Sequence, residues 1–167
     1  MTALAPIVGK SPKLIILGSM PSEISLREQQ YYANPQNAFW WLMSELYGFS
    51  IDQQYQQRCK AFVQNSVAVW DVLADCQRLG SLDSSIVRSS ERSNDFSAFL
   101  NAYPSIRLLA FNGGAAKAIF MRHCAEVFTQ NPEINWQQLP SSSPAHASIT
   151  RAQKLQRWRE CLAIDIQ

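Results

Sequence analysis

The chain has 167 residues, of which 47% are hydrophobic, 11% aromatic and 17% charged. This composition excludes a disordered tail, which would hold fewer apolar residues, and a coiled coil, which would carry more charge. The net charge of +2 permits a polyanionic partner without requiring one. The sequence contains no apolar run of about eighteen residues, and this excludes a membrane-spanning helix.

The N-terminal segment and the cysteines indicate where the protein works. Residues 1–12 lack a charged start followed by a long apolar stretch, so we expect no secretory signal. The four cysteines form no C-x-x-C pair, which argues against a zinc ribbon or an iron–sulfur site. We therefore predict one cytoplasmic domain spanning residues 1–167, with buried thiols, no metal or other cofactor, and a monomeric state.

Four short apolar runs are predicted to be strands. They cover residues 13–17, 67–72, 107–111 and 134–139. The first three are almost wholly apolar, which is typical of strands buried on both faces. The fourth alternates between apolar and polar residues and ends at Pro140, which indicates an edge strand.

Five helical patterns lie between and after these strands. Their apolar stripes are Phe39/Leu42/Met43/Leu46, Tyr55/Cys59/Phe62/Val63, Phe96/Phe99/Leu100, Ala115/Ala116/Ala118/Ile119 and Leu155/Trp158/Leu162/Ile166. Strands that alternate with helices predict an α/β fold, a three-layer α/β/α sandwich around a central four-stranded, mostly parallel sheet. The serine-rich residues 81–93 are predicted to form an ordered loop.

The unusual sequence is concentrated at the four predicted strand ends, where the ligand crevice of such a sheet lies. These ends hold Gly18-Ser19-Met20-Pro21-Ser22, Trp70-Asp71-Val72, Phe111-Asn112-Gly113-Gly114 and residues 139–147. Taken alone, residues 18–22 fit a plain turn as well as a loop whose N–H groups face a ligand. Taken alone, Asn37 is predicted to be the N-cap of a helix that starts at Ala38, with a catalytic amide as the alternative.

Two segments read together resemble a known family. Residues 18–22, followed by Tyr31-Tyr32-Ala33-Asn34-Pro35-Gln36-Asn37-Ala38-Phe39-Trp40, resemble the uracil-DNA glycosylase superfamily, and specifically its branch of hypoxanthine-DNA (deoxyinosine) glycosylases. Further matches occur in the expected order at residues 70–73, 80–84, 94–96, 111–113 and 139–145. The resemblance covers nearly the whole chain and implies a fold that acts on a nucleotide flipped out of DNA.

The resemblance also implies roles for individual residues. Where the superfamily usually has Asp or Asn to direct the attacking water, this chain has Met20, and in the branch it resembles the role falls on the residue that matches Asn37. Tyr32 resembles the aromatic that stacks on the extruded base, although a core tyrosine is as plausible from sequence. Asn34 and Gln36 replace a His and an Arg that often occur in this motif.

Two further strand-end residues are candidates for base binding. Asp71 occupies the position where related enzymes often place a base-reading Asn, and a buried carboxylate needs either local partners or a pocket. Asn112 fits a base reader and a turn residue ahead of Gly113 equally well.

The last motif is a candidate for binding DNA. In the resemblance, Ser141, Ser142, Ser143, Pro144, Ala145 and His146 match a loop that pinches the DNA backbone. Pro144 or Ala145 then acts as a wedge, and a Ser/Pro surface loop is the alternative. Arg151 and Lys154 are candidate phosphate contacts or a solvated helix face.

We therefore predict a monofunctional glycosylase that removes hypoxanthine from single- or double-stranded DNA by hydrolysis. Asn37 would position the water, while residues 18–22, Tyr32, Asp71 and Asn112 would bind the base. The alternatives are a glycosylase for uracil or mismatches and, because Met20 cannot activate water, a non-catalytic DNA-binding module.

Overall fold

The computed structural model describes residues 1–163. Its strands are β1 (Leu14–Gly18), β2 (Val67–Asp71), β3 (Leu73–Asp75), β4 (Arg92–Ser93), β5 (Leu108–Asn112) and β6 (Asn135–Leu139). Its helices are α1 (Glu23–Glu28), α2 (Phe39–Tyr47), α3 (Tyr55–Gln64), α4 (Phe96–Ala102), α5 (Gly114–His123), α6 (Glu126–Gln130) and α7 (Arg151–Ala163). No helix in residues 1–163 is long and apolar enough to cross a membrane.

The central sheet has four strands in the order β2-β1-β5-β6, and all three pairings are parallel. The four predicted strands are therefore confirmed, and the alternating strand β6 lies at an edge as expected. Because the strands are parallel, the carboxyl ends of β1, β2 and β5 meet at one edge of the sheet.

The strand side chains alternate between two separate cores. Ile15 and Leu17 of β1 pack on one face of the sheet against α4 and α5, whereas Leu14 and Ile16 pack on the other face against α2, α3 and α7. Phe39 is the centre of the second core and is completely buried. This arrangement confirms the predicted three layers and explains why β1 has no polar face.

The five predicted helices are present, although Ile166 lies outside the described residues. Two short helices, α1 and α6, and the antiparallel pair β3–β4 were not predicted, because none of them is long enough to show a hydrophobic period. The predicted ordered loop over residues 81–93 consists of 3₁₀ turns at Asp83–Ser85 and Arg88–Ser90, followed by β4.

Candidate active site

A pocket lies at the carboxyl ends of β1, β2 and β5. Every residue predicted to be in the site lines it except His146. The lining residues are Gly18, Ser19, Met20, Pro21, Ser22, Ser25, Tyr31, Tyr32, Asn34, Asn37, Asp71, Ser81, Leu82, Asp83, Asn112, Ser141, Ser142, Ser143, Pro144 and Ala145. Four motifs that are distant in the chain therefore converge on one cavity.

The loop after β1 is fixed by hydrogen bonds to its carbonyl groups. The buried guanidinium of Arg78 donates hydrogen bonds to the carbonyl oxygens of Met20 and Pro21. The carbonyls of Gly18 and Ser19 accept from the chain that follows β2. Within residues 1–163, no acceptor bonds the backbone N–H groups of Ser19 and Met20, and both residues line the pocket.

Asp71, at the end of β2, places a carboxyl group at the bottom of this pocket. The residue is only 3% exposed, and no group in the described part of the chain donates a hydrogen bond to Oδ2. Burial, strengthened by the charge of Asp83 and opposed by Arg78, raises the pKa of Asp71 to about 7. The group is therefore about half protonated near pH 7 and largely neutral below about pH 6, and in its neutral form it can donate a hydrogen bond.

Gly18 makes room for this carboxyl group. A Cβ atom at position 18 would overlap Asp71 Oδ1 and would lie 3.1 Å from the Tyr32 hydroxyl oxygen. The glycine is thus required by the side chains that pack over it.

Tyr32 adopts a backbone conformation that is rare for a bulky residue, with φ +53°. Its ring stacks on Phe39, with 3.8 Å between the ring centroids and 18° between the planes. Burial raises the pKa of the Tyr32 hydroxyl well above its usual value, so the group stays protonated. Fixed backbone strain of this kind is typical of functional sites and holds the ring at the pocket wall.

Asn37 lies directly before helix α2. The helix starts at Phe39 and its N-cap position is Ala38, so the sequence expectation of a helix starting at Ala38 was one residue early. The side-chain oxygen of Asn37 accepts from the Phe39 N–H at 3.0 Å, which is an Asx turn rather than a regular N-cap. A carbonyl oxygen has a second lone pair, and that leaves Asn37 able to bind a water in the pocket.

Asn112 connects the pocket wall to the serine-rich loop. Its amide hydrogens bond the Tyr32 hydroxyl at 3.0 Å and Ser142 Oγ at 2.8 Å, and its oxygen accepts from Ser142 N at 2.8 Å. Both donors are therefore used inside the protein, which makes Asn112 a positioning residue with only one oxygen lone pair left for a base.

Ser142 is not placed as the sequence suggested. It is 1% exposed, and its carbonyl oxygen accepts from Ala38 N at 3.0 Å, in addition to the bonds with Asn112. Ser142 is therefore too buried to contact a phosphate directly. It connects the serine-rich loop to Ala38 instead.

The outer part of the same loop is exposed to solvent. Pro144, Ala145 and His146 are exposed. The Ser141 and Ser143 hydroxyls each accept a hydrogen bond from a backbone N–H two residues further on, and this fixes the turn. His146 lies outside the main pocket, in an adjoining groove.

Helix α7 donates two side-chain hydrogen bonds to the serine-rich loop. Trp158 Nε1 donates to the Pro140 oxygen at 2.8 Å, and Lys154 Nζ donates to the Ser143 oxygen at 3.3 Å. The expectation that Lys154 contacts phosphate or faces solvent is wrong, because the residue is only 4% exposed. Burial and the neighbouring Arg151 lower the pKa of Lys154. Arg151 remains exposed.

Sequence reasoning missed Arg78 and Asp83. Asp83 lines the pocket and accepts a hydrogen bond from Ser19 Oγ, while desolvation of its carboxylate raises its pKa. Its segment, residues 80–84, matched a family motif, and that match was the available signal. Arg78 has no comparable signal in the sequence, since its role depends on two carbonyl groups more than fifty residues away in the chain.

Comparison with known proteins gives the family. The model of the uracil DNA glycosylase superfamily matches residues 6–163. The chain belongs to this superfamily. A hypoxanthine DNA glycosylase from Methanosarcina acetivorans is 35% identical over 146 residues, which are 87% of this chain and 87% of the relative. A hypoxanthine DNA glycosylase from Methanosarcina barkeri is 35% identical over 109 residues, covering 65% of this chain and 68% of that relative.

A solved structure agrees with this assignment. A solution NMR structure of a Methanosarcina acetivorans protein assigned to the uracil DNA glycosylases superposes with a TM-score of 0.77 at 33% identity, and the match covers 96% of this chain and 98% of the other. The superfamily resemblance and the fold class predicted from the motifs are confirmed. Within residues 1–163, no group of three His, Cys, Asp or Glu side chains could hold a metal ion.

Proposed function

We propose that this protein is a DNA glycosylase that excises deaminated bases from DNA, with hypoxanthine as its main substrate. The observation that carries the proposal is the convergence of Asn37, Asp71 and the loop after β1 in one pocket, beside an exposed serine-rich loop. Two members of the same superfamily that are 35% identical to this chain are hypoxanthine DNA glycosylases.

The reaction is hydrolysis of the N-glycosidic bond. Asn37 holds a water molecule against C1′ of the flipped nucleotide, and the C1′–N9 bond breaks as the sugar gains oxocarbenium character. The electron pair of that bond leaves with the base, the water oxygen bonds to C1′, and the proton of the water is released. Asn37 is too weak a base to remove this proton, so its contribution is to position the water.

The pocket stabilises the departing base. The N–H groups of Ser19 and Met20, which have no acceptor within residues 1–163, are donors for the negative charge that develops on the base. The neutral carboxyl of Asp71 supplies a third donor at the bottom of the pocket. Tyr32 extends the aromatic stack on Phe39, so a base that lies on its ring adds one more layer.

The remaining features complete the proposal. Residues 1–167 act as one monomeric domain, and the loop at Pro144, Ala145 and His146 contacts the DNA backbone. All four cysteines are free thiols, which fits a reducing compartment such as the cytoplasm. Among residues 1–163, no lysine lines the pocket to form a Schiff base with the sugar, and this supports an enzyme that leaves an abasic site without cutting the strand.

Single-turnover assays on duplexes that carry hypoxanthine, uracil or xanthine test this proposal. We expect release of hypoxanthine to be fastest, with strand breaks only after alkali and with no effect of EDTA. Faster release of uracil would favour the uracil-specific alternative. Binding of DNA without release of any base would favour a non-catalytic module.

The salt dependence of DNA binding tests the role of Arg151. This side chain is exposed and donates to the Gln36 oxygen at 3.4 Å, near the mouth of the pocket. Arg151→Gln should lower the slope of log Kd against log salt by about one, the value for the loss of one phosphate contact. Arg159→Gln removes the same charge from an exposed position two turns further along the helix, and is the control. Equal slopes for wild type and Arg151→Gln would show that Arg151 does not contact phosphate and belongs to the solvated face of the helix.

A further inference from the structure

Two leucines project from the segment between β3 and β4. Leu79 is 90% exposed and Leu82 is 58% exposed, which makes them the two most exposed large apolar side chains in residues 1–163. Gly80 between them has φ +73° and turns the chain. Exposure of two leucines this close together leaves apolar surface in water without a partner in the protein.

This segment lies at the mouth of the proposed active site. Leu82 and Ser81 line the pocket that contains Asn37, and Leu82 also faces the serine-rich loop across the adjoining groove. Leu82 and Ala145 therefore both line the mouth, and Leu79 lies three residues before Leu82 in the chain.

The base of the segment is fixed in position. The preceding residue, Arg78, is buried and bonded to the carbonyls of Met20 and Pro21. Ser81 Oγ accepts from Glu23 N at 3.0 Å. The leucines thus project from a rigid base that belongs to the pocket itself, and this is the requirement for a side chain that must push into a stacked duplex.

Extrusion of a base leaves a gap in the duplex that an apolar side chain must fill. The sequence analysis placed this wedge at Pro144 or Ala145, on the serine-rich loop. Both are exposed, but they are small, and the Ala145 side chain is a single methyl group. A leucine reaches about three bonds from the backbone and has the size of the wedge residues that are known to enter base steps.

We infer that Leu79 and Leu82 form the apolar wedge that enters the duplex and holds the flipped base outside the stack. This inference rests on the proposed function and adds a positioning role for a segment outside the predicted site. The occupant of the exposed leucine surface is the base stack of the substrate DNA, because Leu82 is both exposed and part of the lining of the pocket that receives the base.

The test compares duplex and single-stranded substrates. A single strand has no stack to hold open, so a wedge contributes only on a duplex. We expect the double variant Leu79→Ala/Leu82→Ala to slow single-turnover hypoxanthine release from duplex DNA by about tenfold or more. Because Leu82 also lines the pocket, the deciding quantity is the ratio of the duplex rate to the single-strand rate, which should fall by about fivefold or more. Val87→Ala is the matched control, since Val87 is an exposed apolar residue of the same segment that lines none of the pocket.

Three results would overturn the wedge: an unchanged duplex rate, an equal loss on both forms of DNA, or the same loss in the Val87 control. A wild-type protein that releases no base contradicts the proposed function instead. In that case the wedge is tested by binding to a duplex that contains a tetrahydrofuran abasic analogue. The double variant should bind this duplex about tenfold more weakly than wild type. Equal affinities in that measurement would reject it.

Discussion

Asn37→Ala is expected to slow base excision by about 10²-fold or more while DNA affinity is largely kept. The structure gives this side chain two tasks, because its oxygen accepts from Phe39 N and the residue also lines the pocket. The loss of the turn alone should cost roughly 1 kcal/mol of stability or less, because Asn37 lies one residue before the N-cap position. Single-turnover rates and thermal melting of the same preparation separate the two tasks.

Asn37→Ser is the control for this prediction. Serine can accept from the same backbone N–H, but its oxygen lies closer to the main chain and would misplace the water. We expect melting close to that of wild type together with slow excision. Full activity of the serine variant would contradict the assignment of the water-positioning role to Asn37 and direct attention to Asp71.

Asp71→Asn is expected to change the pH dependence of excision. In the wild type, the neutral form of Asp71 donates to the base, so the rate should fall about tenfold per pH unit once the pH exceeds the pKa of about 7. An amide donates at every pH, so the variant should lose this fall and exceed wild type above pH 8. The groups that face Asp71 are Asp83, Arg78, Tyr31 and Tyr32, and burial raises the pKa of both tyrosine hydroxyls, so neither tyrosine ionises in this range.

Asp83→Asn tests why the pKa of Asp71 is raised. The charge of Asp83 helps to raise the pKa of Asp71, so its removal should move the fall in rate to lower pH. A rate profile of Asp71→Asn that matches that of wild type would show that Asp71 does not donate to the base.

Asp71→Asn should also change how the stability of the protein depends on pH. The folded protein binds a proton at Asp71 more tightly than the unfolded chain does, so deprotonation favours unfolding. Wild-type stability from this group is therefore lost as the pH rises from about 4, the usual value for Asp, to about 7. The melting temperature of Asp71→Asn should exceed that of wild type by more at pH 8 than at pH 5. A constant difference would show that Asp71 is not desolvated in solution.

Much of this site could be predicted because its residues directly follow strands that are easy to recognise. The run before Gly18 and the run before Asp71 are apolar, and parallel strands bring their carboxyl ends together whatever lies between them. Asn37 needed the family motif, because a residue just before a helix is usually a cap.

The parts that could not be predicted depend on contacts between distant segments. Ser142 and Ser143 are neighbours in the same serine run, yet one is buried by Asn112 and the other is not. Lys154 lies one residue from the predicted apolar stripe of its helix, and only the loop above it makes its position buried. No local periodicity carries this information.

The contact between Gly18 and Asp71 has an evolutionary consequence. Positions 18 and 71 are adjacent partners on neighbouring strands, and a side chain at the first takes the space of the carboxyl group at the second. Relatives should therefore change these two positions together, with a larger residue at the first accompanied by a shorter one at the second. Such a pair of changes would remove the acid from the bottom of the pocket, so a lineage could alter its base preference through two coupled substitutions while the water-positioning amide stays in place.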